Sequence, residues 1–230
     1  MTRISKALGV LLLTMLVSTA TAAIARGEVS SPAEFTTDPG PFFDAEQVGT
    51  NTLTVVGLPA FTCGSLTAAG QGVTEGPNPE KITLSPTYGT CHVVLLGLTK
   101  PITITTNGCA FVLTATTTEI KGVKTFTAHT DIECPTEKQI EIHVYNNAGH
   151  TELLCTYDIK AQTNLTEITL TNNEAAIPND LDADFNVSGI AVQNTKTGGV
   201  CGTQANTTAT YKGTQTIRAT AGYFSAEVTG

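Results

Sequence analysis

Six cysteines, four histidines and a run of alternating aspartates are the residues of this chain with the chemistry to hold a metal, attack a substrate or move a proton. Cys63, Cys91, Cys109, Cys134, Cys155 and Cys201 are widely spaced and form no C-x-x-C pair. Zinc sites usually draw their ligands in close pairs, so this spacing argues against zinc, and the even count argues for three disulfides. A cysteine held in a disulfide is no nucleophile, which removes Cys/His hydrolysis. Serine hydrolysis fares no better. Ser65 in CGSL and Ser188 in NVSG lack the G-x-S-x-G elbow that aims a nucleophile out of a strand-to-helix turn. His92, His129, His143 and His150 read as exposed positions on strands and turns; His143, flanked by Ile142 and Val144, points away from the apolar face of its strand.

The aspartates lie in NDLDADFN, residues 179–186. In a loop, Asp180, Asp182 and Asp184 would gather carboxylate oxygens around calcium, a hard cation that prefers oxygen. The pattern is not an EF-hand. Counted from Asp180, Phe185 takes the sixth position, where that loop turns on glycine, and Ala191 takes the twelfth, where it needs a bidentate glutamate. The long polar stretch 171–184 is expected to be that loop. The same carboxylates are the only pointer to a polymer hydrolase, which would need two acids facing across a cleft. The chain has no tryptophan to stack a sugar on. No cofactor other than such a calcium is called for.

The elements that must position these groups read as strands. Short runs of Val, Ile, Thr, Tyr and Phe alternate with Gly, Asn, Pro and Asp clusters, and no helix of useful length is evident. The expected fold is all-β, an antiparallel sandwich or barrel-like meander stapled by three disulfides. Before it, Arg3 and Lys6 precede an apolar run from Ala7 to Val17, and small residues follow up to Ala25. That is the pattern of a secretory signal peptide, too short to span a bilayer. The domain plan is therefore a signal peptide over 1–25, an extended leader over 26–50 that docks Phe35, Phe42 and Phe43, and a β domain over 51–230. Two small subdomains dividing near 135–138 are an alternative. CHVVLLGL, residues 91–98, reads as one buried strand.

One hairpin can be taken to its register. With Lys121 and Gly122 as the central turn residues, Ile120 faces Val123, and carrying the pairing outward sets Leu113 opposite Thr130, Phe111 opposite Ile132 and Cys109 opposite Cys134. These pairs share a mostly apolar face, while Thr114, Thr116, Thr118, Thr125, Thr127 and His129 fall on the other. A slip of one residue would mix the faces. Opposed, non-hydrogen-bonded positions bring Cα atoms to about 4.5 Å, within the reach of a disulfide. The Cys109–Cys134 bridge follows from this register. For the other four cysteines three arrangements remain, of which neighbour pairing, Cys63 with Cys91 and Cys155 with Cys201, is the simplest in a meander.

Twelve basic residues less Arg3 and Lys6 leave ten against twenty acidic ones, so the exported chain carries a net charge near −10. Nucleic acid is excluded as a partner by the lack of clustered Lys and Arg, and no stretch predicts membrane insertion. Asn164, Asn186 and Asn206 each open an N-x-S/T triplet, a glycan acceptor only in a eukaryotic secretory pathway.

The leader AEFTTDPGPFF, the run TNGCAFVL and the late YKGTQTIRA resemble a group of uncharacterised exported six-cysteine β proteins of soil actinobacteria. The resemblance implies a bacterial extracellular or cell-wall setting and carries no activity to any residue. The expectation is a non-enzymatic structural or binding module that meets an unknown extracellular ligand or wall component through its loops. The alternatives are an extracellular polymer hydrolase or a calcium-stabilised adhesin.

Overall fold

In the computed structural model the described residues are 29–38, 42–72, 79–120, 123–173, 180–196, 199–220 and 223–228. The segment 1–25 read as a signal peptide, the expected turn residues 121–122 and residues 174–179 lie outside them. Thirteen strands run in chain order: β1 (Val29–Asp38), β2 (Phe42–Val55), β3 (Phe61–Gly72), β4 (Lys81–Leu95), β5 (Leu98–Thr105), β6 (Ala110–Ile120), β7 (Val123–Glu133), β8 (Ile140–Tyr145), β9 (Leu153–Ile159), β10 (Gln162–Asn173), β11 (Asp180–Asn194), β12 (Asn206–Ala219) and β13 (Tyr223–Val228). A single turn of 3₁₀ helix, Gly199–Cys201, is the one helical element among the described residues.

Every pairing is antiparallel, and the strands reduce to eight staves. β4 pairs with β6 at its start, over 81–84, and with β5 at its end, over 91–95. β5 and β6 therefore form one broken stave. β7 and β8 form the next, since β6 pairs with β7 and β5 with β8. β9 and β10 form a third, pairing with β8 and β7 on one side and with β11 on the other. β11 pairs with β12, β12 with β2, β2 with β3 and β3 with β4, which closes the ring. The described strands form an eight-stave, up-and-down barrel, closed around its wall except where a broken stave leaves part of a neighbour's edge unpaired, as along β4 over 85–90.

Breaks and bulges collect at one level. β5 gives way to β6 at 106–109, β7 to β8 at 134–139 and β9 to β10 at 160–161. Register shifts fall in β2 between Glu46 and Asn51, in β10 between Leu165 and Ile168, and in β11 between Val187 and Ile190. In β3 and β4 the inward face changes parity at Gly64 and Thr90, which oppose each other; Thr90 has φ 51°. Each irregularity lets a long strand bend while keeping apolar side chains inward on both halves. The result is a waist, and the suggested division at 135–138 is one of its steps, with β2, β3, β4, β11 and β12 running past it.

The residues read as a leader are strands. The first half of β2 is a stave with Phe43 and Ala45 buried, and Phe42 faces out. β1 pairs with β6 and β13, and this ribbon touches β4 and β6 on one side and β10, β11 and β12 on the other, so it lies across the barrel end. Phe35 and Ala226 are buried beneath it, and the Asn172 amide grips the Ala226 backbone at both N–H and C=O, at 2.9 and 3.0 Å. At the far end sits the 3₁₀ turn, where the Tyr157 hydroxyl and the Asn194 amide both donate to the Cys201 carbonyl at 2.9 and 2.8 Å. Burial pushes the Tyr157 phenol up to about 12, so it stays a donor.

All three disulfides pair as neighbours: Cys63–Cys91, Cys109–Cys134 and Cys155–Cys201. The β6–β7 register runs from Ile120 opposite Val123 to Ala110 opposite Glu133, one step short of Cys109 and Cys134, whose Cα atoms are 4.1 Å apart. The expected faces hold for Leu113, Ala115, Ala128 and Ile132, which are buried, and for His129 and Glu133, which are exposed; Val112 and Ala110, on the face expected to be wet, are buried. Residues 91–98 are corrected. Leu96 (φ 51°) and Gly97 (φ 77°) make a two-residue turn between β4 and β5, and Leu96 is 87% exposed. Three disulfides fit an oxidising compartment. No helix among the described residues is long and apolar enough to cross a membrane.

Candidate functional site

The aspartates expected to line a loop stand on a strand. β10 reaches Asn173 and β11 begins at Asp180, so most of the expected loop is paired sheet. Leu181, Ala183 and Phe185 fill the inward positions, which turns Asp180, Asp182 and Asp184 to the outer face. There each meets its cross-strand partner on β12: Thr214 donates to Asp184 at 2.6 Å, Thr216 to Asp182 at 2.6 Å and Arg218 to Asp180 at 2.9 Å. Arg218 also reaches Glu46 at 3.1 Å. The hydrogen bond to Asp180, then that to Glu46, raises the guanidinium further. Alternate residues of a strand sit about 6.6 Å apart, whereas oxygens around one calcium lie within about 5 Å of one another. Among the described residues no three carboxylate, imidazole or thiolate side chains gather to hold a metal.

The concave feature lies inside. At the waist a cavity of about 40 Å³ receives at least one side chain from every strand from β2 to β12. That space holds about three water molecules, at roughly 10 to 15 Å³ each by this measure. Eight-stranded barrels are just wide enough to be filled by side chains or to enclose one small ligand. Here part of the lumen is filled: Phe111 of β6 and Tyr211 of β12, from opposite staves, stack at 6.4 Å, and Phe185 meets Tyr211 edge-on at 5.8 Å. The rest is walled mainly by isoleucines of β5, β7, β8 and β9.

Two polar groups break this lining. Asn51 is 2% exposed, and neither its amide oxygen nor its amide nitrogen has a hydrogen-bond partner among the described residues; the Thr130 hydroxyl, 1% exposed, has none among them either. Asn51 stands on β2 and Thr130 on β7, four staves apart, on opposite walls of the same cavity. Asn51 owes its place to Gly213 on β12, where a Cβ would fall 1.4 Å from the Asn51 amide oxygen. Tyr88 and Tyr211 add two phenols. Burial pushes both well up, and Tyr211 raises Tyr88 further, so both stay neutral. The Gln215 amide donates to the Tyr211 hydroxyl at 3.1 Å. No charged side chain lines the cavity.

The wall is interrupted on both sides of the waist, with different outcomes. Along β11 the lapse between β10 and β9 is closed by side chains. The Gln162 amide bonds the Ala191 N–H and C=O at 2.7 and 2.9 Å, and Thr166 bridges Ser188 N–H and Asn186 C=O at 2.9 and 3.2 Å. Along β4 no described strand pairs with the edge over 85–90. Tyr88, Ile104 and Phe111, all half-buried, face this gap from inside, and Tyr88 and Ile104 also line an outer cleft that includes His150. His150 stacks on Tyr145 at 4.7 Å, and Tyr145 meets His143 edge-on.

Asn51 and Thr130 were legible in part. N-x-L-x-V over residues 51–55 puts Asn51 on the inward face, and the hairpin register had placed Thr130 among apolar residues. Comparison with protein families, characterised proteins and solved structures finds no match for this chain.

Proposed function

We propose that this is an exported, non-enzymatic binding module that encloses a small apolar molecule at the waist of its barrel. The carrying observation is the isoleucine-walled cavity at the level where the strand breaks and bulges collect, beside a wall edge at 85–90 that no described strand pairs. Ligand sites are characteristically apolar hollows with a few placed polar groups. The three disulfides suit a rigid receptacle working outside the cell, and the amino-terminal apolar run directs it there. The polymer-hydrolase reading is less well supported: its carboxylates lie along the outer face of a barrel wall, each held by a β12 partner, and not across a cleft.

The test is a methyl-resolved NMR titration of the exported, disulfide-intact chain with propane, whose three carbons match a hollow with room for about three water molecules. Saturable shifts are expected at the methyls of Ile104, Ile132, Ile142 and Ile159. Shifts confined to the exposed leucines at 96 and 98, or none, would defeat the reading.

A further inference from the structure

We infer that the cavity selects a compact, neutral molecule with an apolar body and one hydroxyl-type group, held through Asn51 and Thr130 and admitted through the gap beside Tyr88. The inference rests on the cavity reading above and adds the ligand's polarity, charge and route. An amide with both ends unpartnered and an unpartnered hydroxyl, each almost wholly buried, face one hollow from opposite walls. Buried polar groups in native proteins are nearly all satisfied, and orphans in a cavity mark where a partner belongs. An amide offers a donor and an acceptor, and a hydroxyl can serve as either. A single alcohol or phenol group complements them. Charge is selected against, because a charged ligand would lose its hydration in a hollow with no charged lining residue.

Route follows from the same wall. The β1–β13 ribbon lies across one barrel end, the 3₁₀ turn is bonded to Tyr157 and Asn194 at the other, and the β11 lapse is stitched by Gln162 and Thr166. The β4 edge over 85–90 is unpaired among the described strands, with Tyr88 and Ile104 shared between the cavity and the outer cleft.

The experiment compares ethanol with propane, two probes of nearly one size that differ by a hydroxyl and match a hollow of about 40 Å³, on the exported chain and on Asn51→Ala and Thr130→Val. A site whose polar groups stand unpaired disfavours the ligand that lacks the matching group. Ethanol is expected to bind about ten-fold more tightly than propane to the native chain, the size of one good hydrogen bond in a desolvated site. Asn51→Ala should bring the ratio near one while keeping propane binding, and Thr130→Val should lower it in part. Equal binding of both probes by the native chain, or an unchanged ratio in both variants, overturns the polar anchor and leaves the cavity reading standing. Saturation by neither probe overturns both. For the route, Thr87→Cys and Thr105→Cys, both exposed and on either side of the gap, joined by a short bifunctional thiol crosslinker, should slow ethanol release at least ten-fold; unchanged release places the opening elsewhere.

Discussion

Thr130→Val should make the protein more stable, although it removes a hydroxyl from a strand and keeps the side-chain shape. Thr130 lies on β7 between Leu113 of β6 and Leu165 of β10, is 1% exposed, and its hydroxyl has no partner among the described residues. An unpaired hydroxyl held away from water costs about 1 to 3 kcal/mol on mutational scales. Valine keeps the β-branch that suits the pleat and adds a methyl to an apolar wall. The net gain is about 1 to 2 kcal/mol after allowance for imperfect packing of the new methyl. A chain of this size shifts its Tm by about 2 to 4 °C per kcal/mol, so the rise is about 2 to 8 °C. Thr130→Ser supplies the control: it keeps the orphan hydroxyl, deletes a methyl and loses about 1 kcal/mol. Thermal and guanidinium unfolding, disulfides intact and no ligand added, measure both. If Thr130→Val is destabilised by more than 1 kcal/mol, the hydroxyl is satisfied in the free protein and the argument from unpartnered groups fails. A stabilised variant that binds ethanol less well would show stability exchanged for recognition, as at many functional sites.

Gly213→Ala should destabilise, because its Cβ would fall on the Asn51 amide; adding Asn51→Ala should restore most of the loss, and additive effects in the double-mutant cycle would refute the contact. Asp158 is buried on β9, and its carboxyl is raised above 3.8 by burial first and by Glu141 opposite it second, against the pull of Gln139, His143 and Lys160. A raised carboxyl contributes most below its unfolded pKa, and that contribution fades as pH rises through the folded value. Asp158→Asn should therefore be more stable than the native chain at pH 7, with the difference vanishing near pH 3; urea midpoints at the two pH values check this, and a variant less stable than the native chain at pH 7 would contradict it. Removing Cys109 and Cys134 together, both to Ala, should cost about 3 to 4 kcal/mol in the chain-entropy model for a separation of 25 residues, seen as a lower guanidinium midpoint.

What the sequence by itself determined is local. The hairpin register around 121–122 depends only on residues that alternate and lie close along the chain, so it placed Cys109 opposite Cys134 and Thr130 on an inward face without reference to the rest of the molecule. For the other four cysteines the sequence left three arrangements, of which neighbour pairing was the simplest, and the structure decided among them. Tertiary structure decided what depends on distant partners. Closure of the barrel needs β12 beside β2, whose paired residues are more than 150 positions apart in the chain. β3, with Gly64 and Gly70 and few bulky side chains, is a strand because β2 and β4 flank it; Gly70 admits Leu84, against which any Cβ there would press at 2.6 Å. The aspartates became a ladder because β12 presents Thr214, Thr216 and Arg218 at their spacing. The cavity exists because bulges on separate strands fall at one height. Periodicity along a single strand carries no information about that height; only the closed ring, which fixes how far each strand is staggered against the next, can set it.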